Sequence, residues 1–273
     1  MDRKIKVSII YLAWLIFCFN FLSCHRPQAS LTVVGSTSVQ PFAEVLAEEF
    51  MKNHPQEKIF VQGGGSSAGI QAVLSEACPL GMSSRNLNPE EKGLLTIPIA
   101  YDAIAIIVHR RNPLTNLSKV QIQKIFSRQI KNWQELGWEN RPITLVTREE
   151  GSGTREAFQH LIMEDKEISL AALVQDSNGA IRQVVGDDPQ AIGYISLGLL
   201  NEKVKALQID GVEPNLENIR TRRYKIVRPF LFVLKKEPTG VIKDFLNFIL
   251  SPAGQKILAR EGLMPVATLN NKN

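Results

Sequence analysis

Cysteine is scarce in this chain, with three among 273 residues: Cys18, Cys24 and Cys78. Cys18 lies in an apolar N-terminal run and Cys24 just behind it. A body that begins at Cys24 with that thiol carrying lipid keeps only Cys78 free, so no internal disulfide is available to it. Cys78 reads as a small buried hydrophobe, and a chain of this size builds cores that need no covalent staple even in an oxidising compartment. Histidine is also sparse. His25, His54, His109 and His160 are scattered without paired spacing, which excludes a histidine-built metal centre. No Gly-Lys-Ser/Thr follows any glycine loop, so a nucleotide P-loop is excluded. Internal repeats and low-complexity tracts are absent. The basic residues Arg220, Arg222, Arg223, Lys225 and Arg228 have no stacking platform of aromatics interleaved with them. They read as a solvated face, with a modest steering field for a small anion as the alternative, and nucleic acid is not an expected partner.

What is present describes an ordinary globular chain with 44% hydrophobic and 22% charged residues. Its N-terminus has the pattern of a targeting segment. Arg3, Lys4 and Lys6 precede an apolar stretch from Val7 to Leu22, which stops at Ser23-Cys24 before the polar His25-Arg26-Pro27-Gln28. That pattern predicts a lipoprotein signal peptide over residues 1–23 rather than a spanning helix. The junction resembles a bacterial lipobox, which would make Cys24 the lipidated first residue of the mature chain, although Phe21 stands where leucine is usual. An uncleaved anchor and plain signal cleavage are the alternatives. The expected location is outside the cytoplasm, facing the periplasm or cell exterior from a lipid anchor in the membrane. Removing three basic residues and Asp2 with the signal lowers the net charge from +5 to +3.

Three times an apolar run ends in a Gly/Ser/Thr loop that opens into a helical pattern: LTVV-GSTS from Leu31, KIFVQ-GGGSS from Lys58 and ITLVTREE-GSGT from Ile143. Each helix start exposes N–H groups without intrahelical partners and attracts anions. Glycine permits close backbone approach, and small hydroxyls add donors. Three such loops predict one anion held from several directions. In the third, Arg148 lies a few residues before Gly151-Ser152-Gly153-Thr154 and suits bidentate recognition of a tetrahedral oxyanion, an ion pair with Glu149 or Glu150 being its other reading. Arg155 is expected to face outward.

Strands alternate with helices, which predicts α/β architecture with parallel-rich sheets. Val39, Phe42, Leu46 and Phe50 share one helix face. Asn88-Pro89 reads as a helix start and Ser118 as a capping box with Gln121. Residues 103–108 read as a buried strand, 225–234 as extended, and 215–220, 240–250 and 252–260 as helical. Two lobes joined by crossing strands near 102–110 and 224–230 fit this order. The boundaries are a linker over 24–30, one lobe from 31–107 and 226–273, and the other from 108–225.

One rival reading comes from Gly65-Ser66-Ser67-Ala68-Gly69, which satisfies G-x-S-x-G on a strand-to-helix turn. A serine esterase would use Ser67 with Asp102 and His160. That pattern explains one loop and leaves two idle.

Together the stretches GSTSVQP, QGGGSSAGI, DAIAIIVHRRNP, KIFSRQIKNWQELG, REEGSGTR and AIGYISLG resemble, in order, the periplasmic phosphate-binding proteins of ABC-type phosphate uptake systems, the PstS group. The resemblance runs from about Leu31 to Val266. It implies a two-lobed type II periplasmic binding fold with two crossing hinge strands, no catalysis, no cofactor or metal, and delivery of inorganic phosphate to an inner-membrane ABC permease and its ATPase. Carried over by motif, the phosphate donors are Thr37, Ser38, Ser66, Arg148, Ser152, Gly153 and Thr154, with Ser67 as an extra donor. Some members carry a carboxylate where this chain has Ser84. The resemblance then makes Asp102 the candidate acceptor for the proton of hydrogen phosphate, with Ser84 a donor. Such a carboxylate would repel sulfate, which offers only acceptors. Arg85 pairs with either a carboxylate or the ligand. Arsenate as ligand, and a sensing or adhesive role without a permease, remain open at this level.

Overall fold

The structure is a computed structural model and describes residues 30–270. The signal segment, the linker and Cys24 lie outside the described residues. The first lobe's opening segments are β1 (Ser30–Gly35), α1 (Gln40–Asn53), β2 (Lys58–Gly63), α2 (Ser66–Leu74) and β3 (Leu80–Ser83). A long strand, β4 (Leu95–His109), leads to β5 (Asn116–Leu117), α3 (Lys119–Phe126), β6 (Thr144–Arg148), α4 (Gly153–Phe158) and β7 (Leu173–Gln175). Then follow α5 (Asn178–Asp187), β8 (Ala191–Ser196), β9 (Val204–Ala206), β10 (Gln208–Ile209) and α6 (Leu216–Arg220). The chain returns through β11 (Val227–Leu234) to α7 (Gly240–Leu250), α8 (Pro252–Arg260), β12 (Met264–Pro265) and α9 (Val266–Asn270).

The main sheet runs β2-β1-β3-β11-β4-β8-β6-β7, with β9 and β12 also paired to β4. Pairings β1–β2, β1–β3, β6–β8 and β6–β7 are parallel, as helical crossovers require. The middle is antiparallel. Residues 95–103 of β4 pair with β11, and residues 104–108 pair with β8, so one strand passes from lobe to lobe. Its two faces are buried in different cores, as the alternation of a strand dictates. Ile104, Ile106 and Val108 pack with Phe126, Trp133, Phe158 and Tyr194. Ala105 and Ile107 pack with Val146, Ile181 and Val185. Leu31, Val33, Phe42, Leu46 and Phe50 share a core with Phe230, Phe232, Phe245 and Leu258, which unites the N-terminal and C-terminal segments.

Local signals set most helix starts. Ser118 and Gln121 cap α3 reciprocally, and Ser152, Ser177, Asn215 and Ser251 each accept a backbone N–H at a helix start. The start expected at Asn88 yields only a three-residue 3-10 turn, Pro89–Glu91. Gly93, at φ 90°, turns the chain away directly afterwards.

Candidate functional site

The loops after β1, β2 and β6 and the end of β3 meet at one buried point. Ser38 Oγ and Thr154 Oγ1 are 2.7 Å apart across the seam between the lobes. Ser36 Oγ donates to Ser84 Oγ at 2.9 Å, and the Ser84 N–H donates to Ser66 Oγ at 3.0 Å. Gly153 lies against the same two serines. A Cβ there would collide with Ser66 Oγ and stand 2.7 Å from Ser84 Oγ. Ser36, Ser38, Ser66, Ser84, Ser152 and Thr154 are all buried. Thr37 joins them through Arg148, whose Nη2 donates to Thr37 Oγ1 at 2.9 Å.

The direction of these bonds determines the chemistry. Thr37 Oγ1 accepts from Arg148, and Ser38 Oγ accepts from Asn178 Nδ2 at 2.8 Å. Ser66 Oγ accepts from Ser84 N–H, Ser152 Oγ from Arg155 N–H, and Thr154 Oγ1 from Arg228 Nη1. Each of these five hydroxyls therefore already takes one bond from a nitrogen donor that can only give. Ser38 and Thr154 share one proton across their 2.7 Å contact, and an anion entering between them would receive a proton from each. A pocket of convergent O–H donors beside two arginines suits a small, acceptor-rich anion.

Arg148 is only 1% exposed. Its Nε and Nη2 donate to the Glu149 carboxylate at 2.8 Å each, and Nη2 also reaches the Asp176 carbonyl at 3.0 Å. The ion pair with Glu149 is present and half buried, and it holds the guanidinium toward Thr37. Its Nη1 is buried and has no hydrogen-bond partner among the described residues. A guanidinium N–H left in that condition is costly unless an anion takes it.

Asp102 and Arg228 face each other as register partners on β4 and β11. Arg228 donates to Asp102 Oδ2 from Nε at 3.1 Å and from Nη2 at 2.9 Å, and Ser196 Oγ donates to Oδ1 at 2.8 Å. Burial pushes the Asp102 carboxyl up, and the Arg228 charge and these hydrogen bonds oppose that push. Burial likewise pulls the Arg228 guanidinium down, against the attraction of Asp102. Arg228 keeps its proton at ordinary pH, and Asp102 accepts on both oxygens, as a carboxylate does. Both Asp102 oxygens are engaged, whereas the sequence reading treats this carboxylate as a proton acceptor facing the ligand. The basic run is also corrected at one position. Arg220, Arg222, Arg223 and Lys225 are exposed, but Arg228 is buried, because strand alternation turns it inward to Asp102.

Ser67 turns away from the cluster. Successive residues at a helix start point about 100° apart, so Ser66 enters the buried point while Ser67 lies along the seam. Its Oγ donates to Glu156 Oε1 at 3.3 Å and accepts from Arg85 Nη2 at 3.1 Å, and its N–H donates to the Gly151 carbonyl. Arg85 pairs with carboxylates: Glu91 at 2.7 Å and Glu156 at 2.6 Å. Arg155, half buried rather than outward, donates from Nη1 to the Arg148 carbonyl at 3.0 Å. The esterase constellation does not assemble among the described residues, since Asp102 is bonded to Arg228 and Ser196 and Ser67 to Arg85 and Glu156. A groove of about 660 Å³ flanks the cluster, lined by Arg85, Asn88, Gly151, Arg155, Glu156 and Arg228 among others. The hydroxyls themselves already meet, Ser38 with Thr154 and Ser36 with Ser84.

Sequence reasoning missed Asn178, Ser196 and Arg228. For Asn178 a signal existed, since Ser177-Asn178-Gly179 opens α5 after β7 and so forms a fourth helix start of small polar residues. Arg228 had none.

Residues 24–253 match the model of the PBP superfamily domain. The phosphate-binding protein PstS of Bacillus subtilis is 35% identical over 251 residues, covering 90% of this chain and 83% of that protein. The PstS of Borreliella burgdorferi is 26% identical, covering 96% and 99%. Among solved structures, a candidate phosphate ABC transporter substrate-binding protein from Clostridium perfringens, with bound phosphate, superposes with a TM-score of 0.84 at 43% identity, covering 87% of this chain and 99% of that one. An ABC-type phosphate transport receptor from Vibrio cholerae gives 0.72 at 36% identity, with 86% and 99% covered.

Proposed function

We infer what this chain does from its kin: it belongs to the PBP superfamily and, within it, to the phosphate-binding PstS proteins. It binds inorganic phosphate between two lobes of an α/β binding-protein fold and serves an ABC phosphate importer. The observation that carries this reading is the set of five hydroxyls, drawn from both lobes, that each accept one bond from a nitrogen donor and gather beside Arg148. We assign as phosphate donors Thr37, Ser38, Ser66, Ser152 and Thr154, the N–H of Gly153, and Arg148, with Ser84 beside them. Ser67 and Asp102 act behind this group rather than on the anion. Dehydration of phosphate is offset by fixed donors that gain strength in a buried, low-dielectric site.

Residues 31–107 and 226–273 form one lobe and 108–225 the other on this reading, with β4 and β11 as the hinge. The N-terminal segment makes the chain an exported lipoprotein anchored through Cys24. No bond of the ligand is made or broken, and the relatives are substrate-binding proteins.

Titration calorimetry of the purified chain with phosphate and with sulfate tests the proposal. The expected result is tight binding of phosphate and at least tenfold weaker binding of sulfate. Absent heat with phosphate overturns the reading, and equal affinities reduce it to a general oxyanion site.

A further inference from the structure

We propose that Asp102, Arg228, Asn178 and Ser196 form a positioning ring that commits the hydroxyls of Ser38 and Thr154 to donating toward the bound anion. The inference rests on the phosphate reading above and adds Asn178, Ser196 and Arg228, which the sequence reading did not assign to the site. The ring can be walked bond by bond. Ser196 Oγ donates to Asp102 Oδ1 at 2.8 Å, and Asp102 Oδ2 receives Arg228 Nε and Nη2. Arg228 Nη1 donates to Thr154 Oγ1 at 2.8 Å, and Thr154 meets Ser38 at 2.7 Å. Asn178 Nδ2 donates to Ser38 Oγ at 2.8 Å, and the Ser196 N–H donates to Asn178 Oδ1 at 3.1 Å, which closes the circuit.

Two features fix the sense of this ring. A guanidinium has no acceptor, so Thr154 Oγ1 can only receive from Arg228. The Asn178 amide could in principle be reversed, but the Ser196 N–H requires an oxygen opposite it, so Nδ2 must face Ser38. Each of the two hydroxyls thus has a lone pair occupied by a nitrogen donor; here one gives its proton to the other across the 2.7 Å contact, and an anion that enters between them receives both protons. Asp102 cancels the charge of Arg228, so the ring supplies direction without adding net charge to the cleft. It also spans the molecule. Ser38 follows β1, Asp102 and Arg228 sit on the two hinge strands, and Thr154, Asn178 and Ser196 belong to the other half of the chain. The two hydroxyls are therefore oriented together only when the halves meet. The ring lies wholly within the interior, with all six members buried.

A double-mutant cycle by phosphate calorimetry on the full chain tests this, with thermal melting in parallel. Thr154→Val and Arg228→Gln are each expected to weaken phosphate binding about 10- to 100-fold. The double variant should be no more than about threefold weaker than the worse single one, because Arg228 acts through the Thr154 hydroxyl. Arg228→Lys, which keeps one donor, should recover part of the loss. Multiplying losses in the double variant would make Arg228 an independent ligand contact and overturn the ring, as would unchanged affinity in Arg228→Gln. Should Arg228→Gln fail to fold, Asp102→Asn/Arg228→Gln replaces the ion pair by a neutral one. Full phosphate affinity in that variant would also overturn the proposal. A wild-type chain that takes no phosphate sinks the phosphate reading itself, whereas a wild type that binds while the cycle is additive sinks the ring alone.

Discussion

Gly153 has no side chain, and the volume one would need belongs to Ser66 and Ser84 from the opposite lobe. An added methyl cannot be absorbed by a flexible tip, because both hydroxyls are held: Ser84 accepts from Ser36, and Ser66 accepts from the Ser84 N–H. The clash exists only when the lobes are together. Gly153→Ala should therefore weaken phosphate binding at least tenfold, about 1.4 kcal/mol, while leaving the melting temperature without phosphate nearly unchanged. Calorimetry and a melting curve on the same preparation check this; retained affinity would mean that Gly153 is not at the contact surface. Arg228 behaves differently. Removing one member of a buried ion pair costs about 3–5 kcal/mol through the charge left behind, so its single variants must be read with their stability measured. The serine and glycine residues of the three loops were legible in the sequence because their turn chemistry is local. Arg228 was not, since a strand residue's inward or outward direction depends on register, and its neighbours in the basic run are exposed.

Helix α4 carries two functions one turn apart. Its first residues, Gly153 and Thr154, stand at the hydroxyl cluster, and Glu156 reaches back over the seam. Glu156 takes Arg85 Nε at 2.6 Å, Ser67 Oγ at 3.3 Å and Asn88 Nδ2 at 3.4 Å, all from the other lobe. Arg85 is itself held by both oxygens of Glu91. In Glu91 burial works against ionisation, but the bonds from Arg85 and the Asn88 N–H outweigh it and hold the carboxyl below its ordinary range. This arrangement ties Ser67, Arg85 and Asn88 to α4 beside the hydroxyl cluster, and on the proposed function it latches the closed state. Glu156→Gln should weaken phosphate and sulfate binding by the same factor, about 3- to 10-fold. A half-exposed ion pair contributes on the order of 1 kcal/mol to the closed state. Parallel titrations with the two anions decide it: a change in their ratio would place Glu156 in recognition rather than closure. The G-x-S-x-G pattern illustrates how the sequence misleads at this scale. The strand-to-helix turn is real, but the residue in the nucleophile position serves the latch.

At the scale of the whole molecule, the discontinuous lobe of the proposed division rests on β4 and β11. Each is long enough to leave one core and enter another, and their antiparallel pairing brings Asp102 opposite Arg228. Membrane attachment belongs to this scale too. A single acyl chain gives only marginal binding, so stable anchoring through Cys24 needs several acyl groups. Expressed in a bacterial host, the chain should partition into the detergent phase, and Cys24→Ser should move it to the aqueous phase. The mass of the mature N-terminus checks the same point, and an unmodified Cys24 would remove the anchor.

The sequence by itself determined the alternation of strands and helices, most of the capped helix starts and the three hydroxyl-bearing loops. All of these arise from contacts within a few residues, where periodicity and turn chemistry act. Only the tertiary structure decided that Asp102 is engaged on both oxygens, that Ser67 faces the seam, and that Asn178, Ser196 and Arg228 stand behind the donors. Those outcomes depend on which strands pair and in what register. The free energy of that pairing comes from burying whole faces of β4 and β11, not from any property legible in the neighbourhood of one residue.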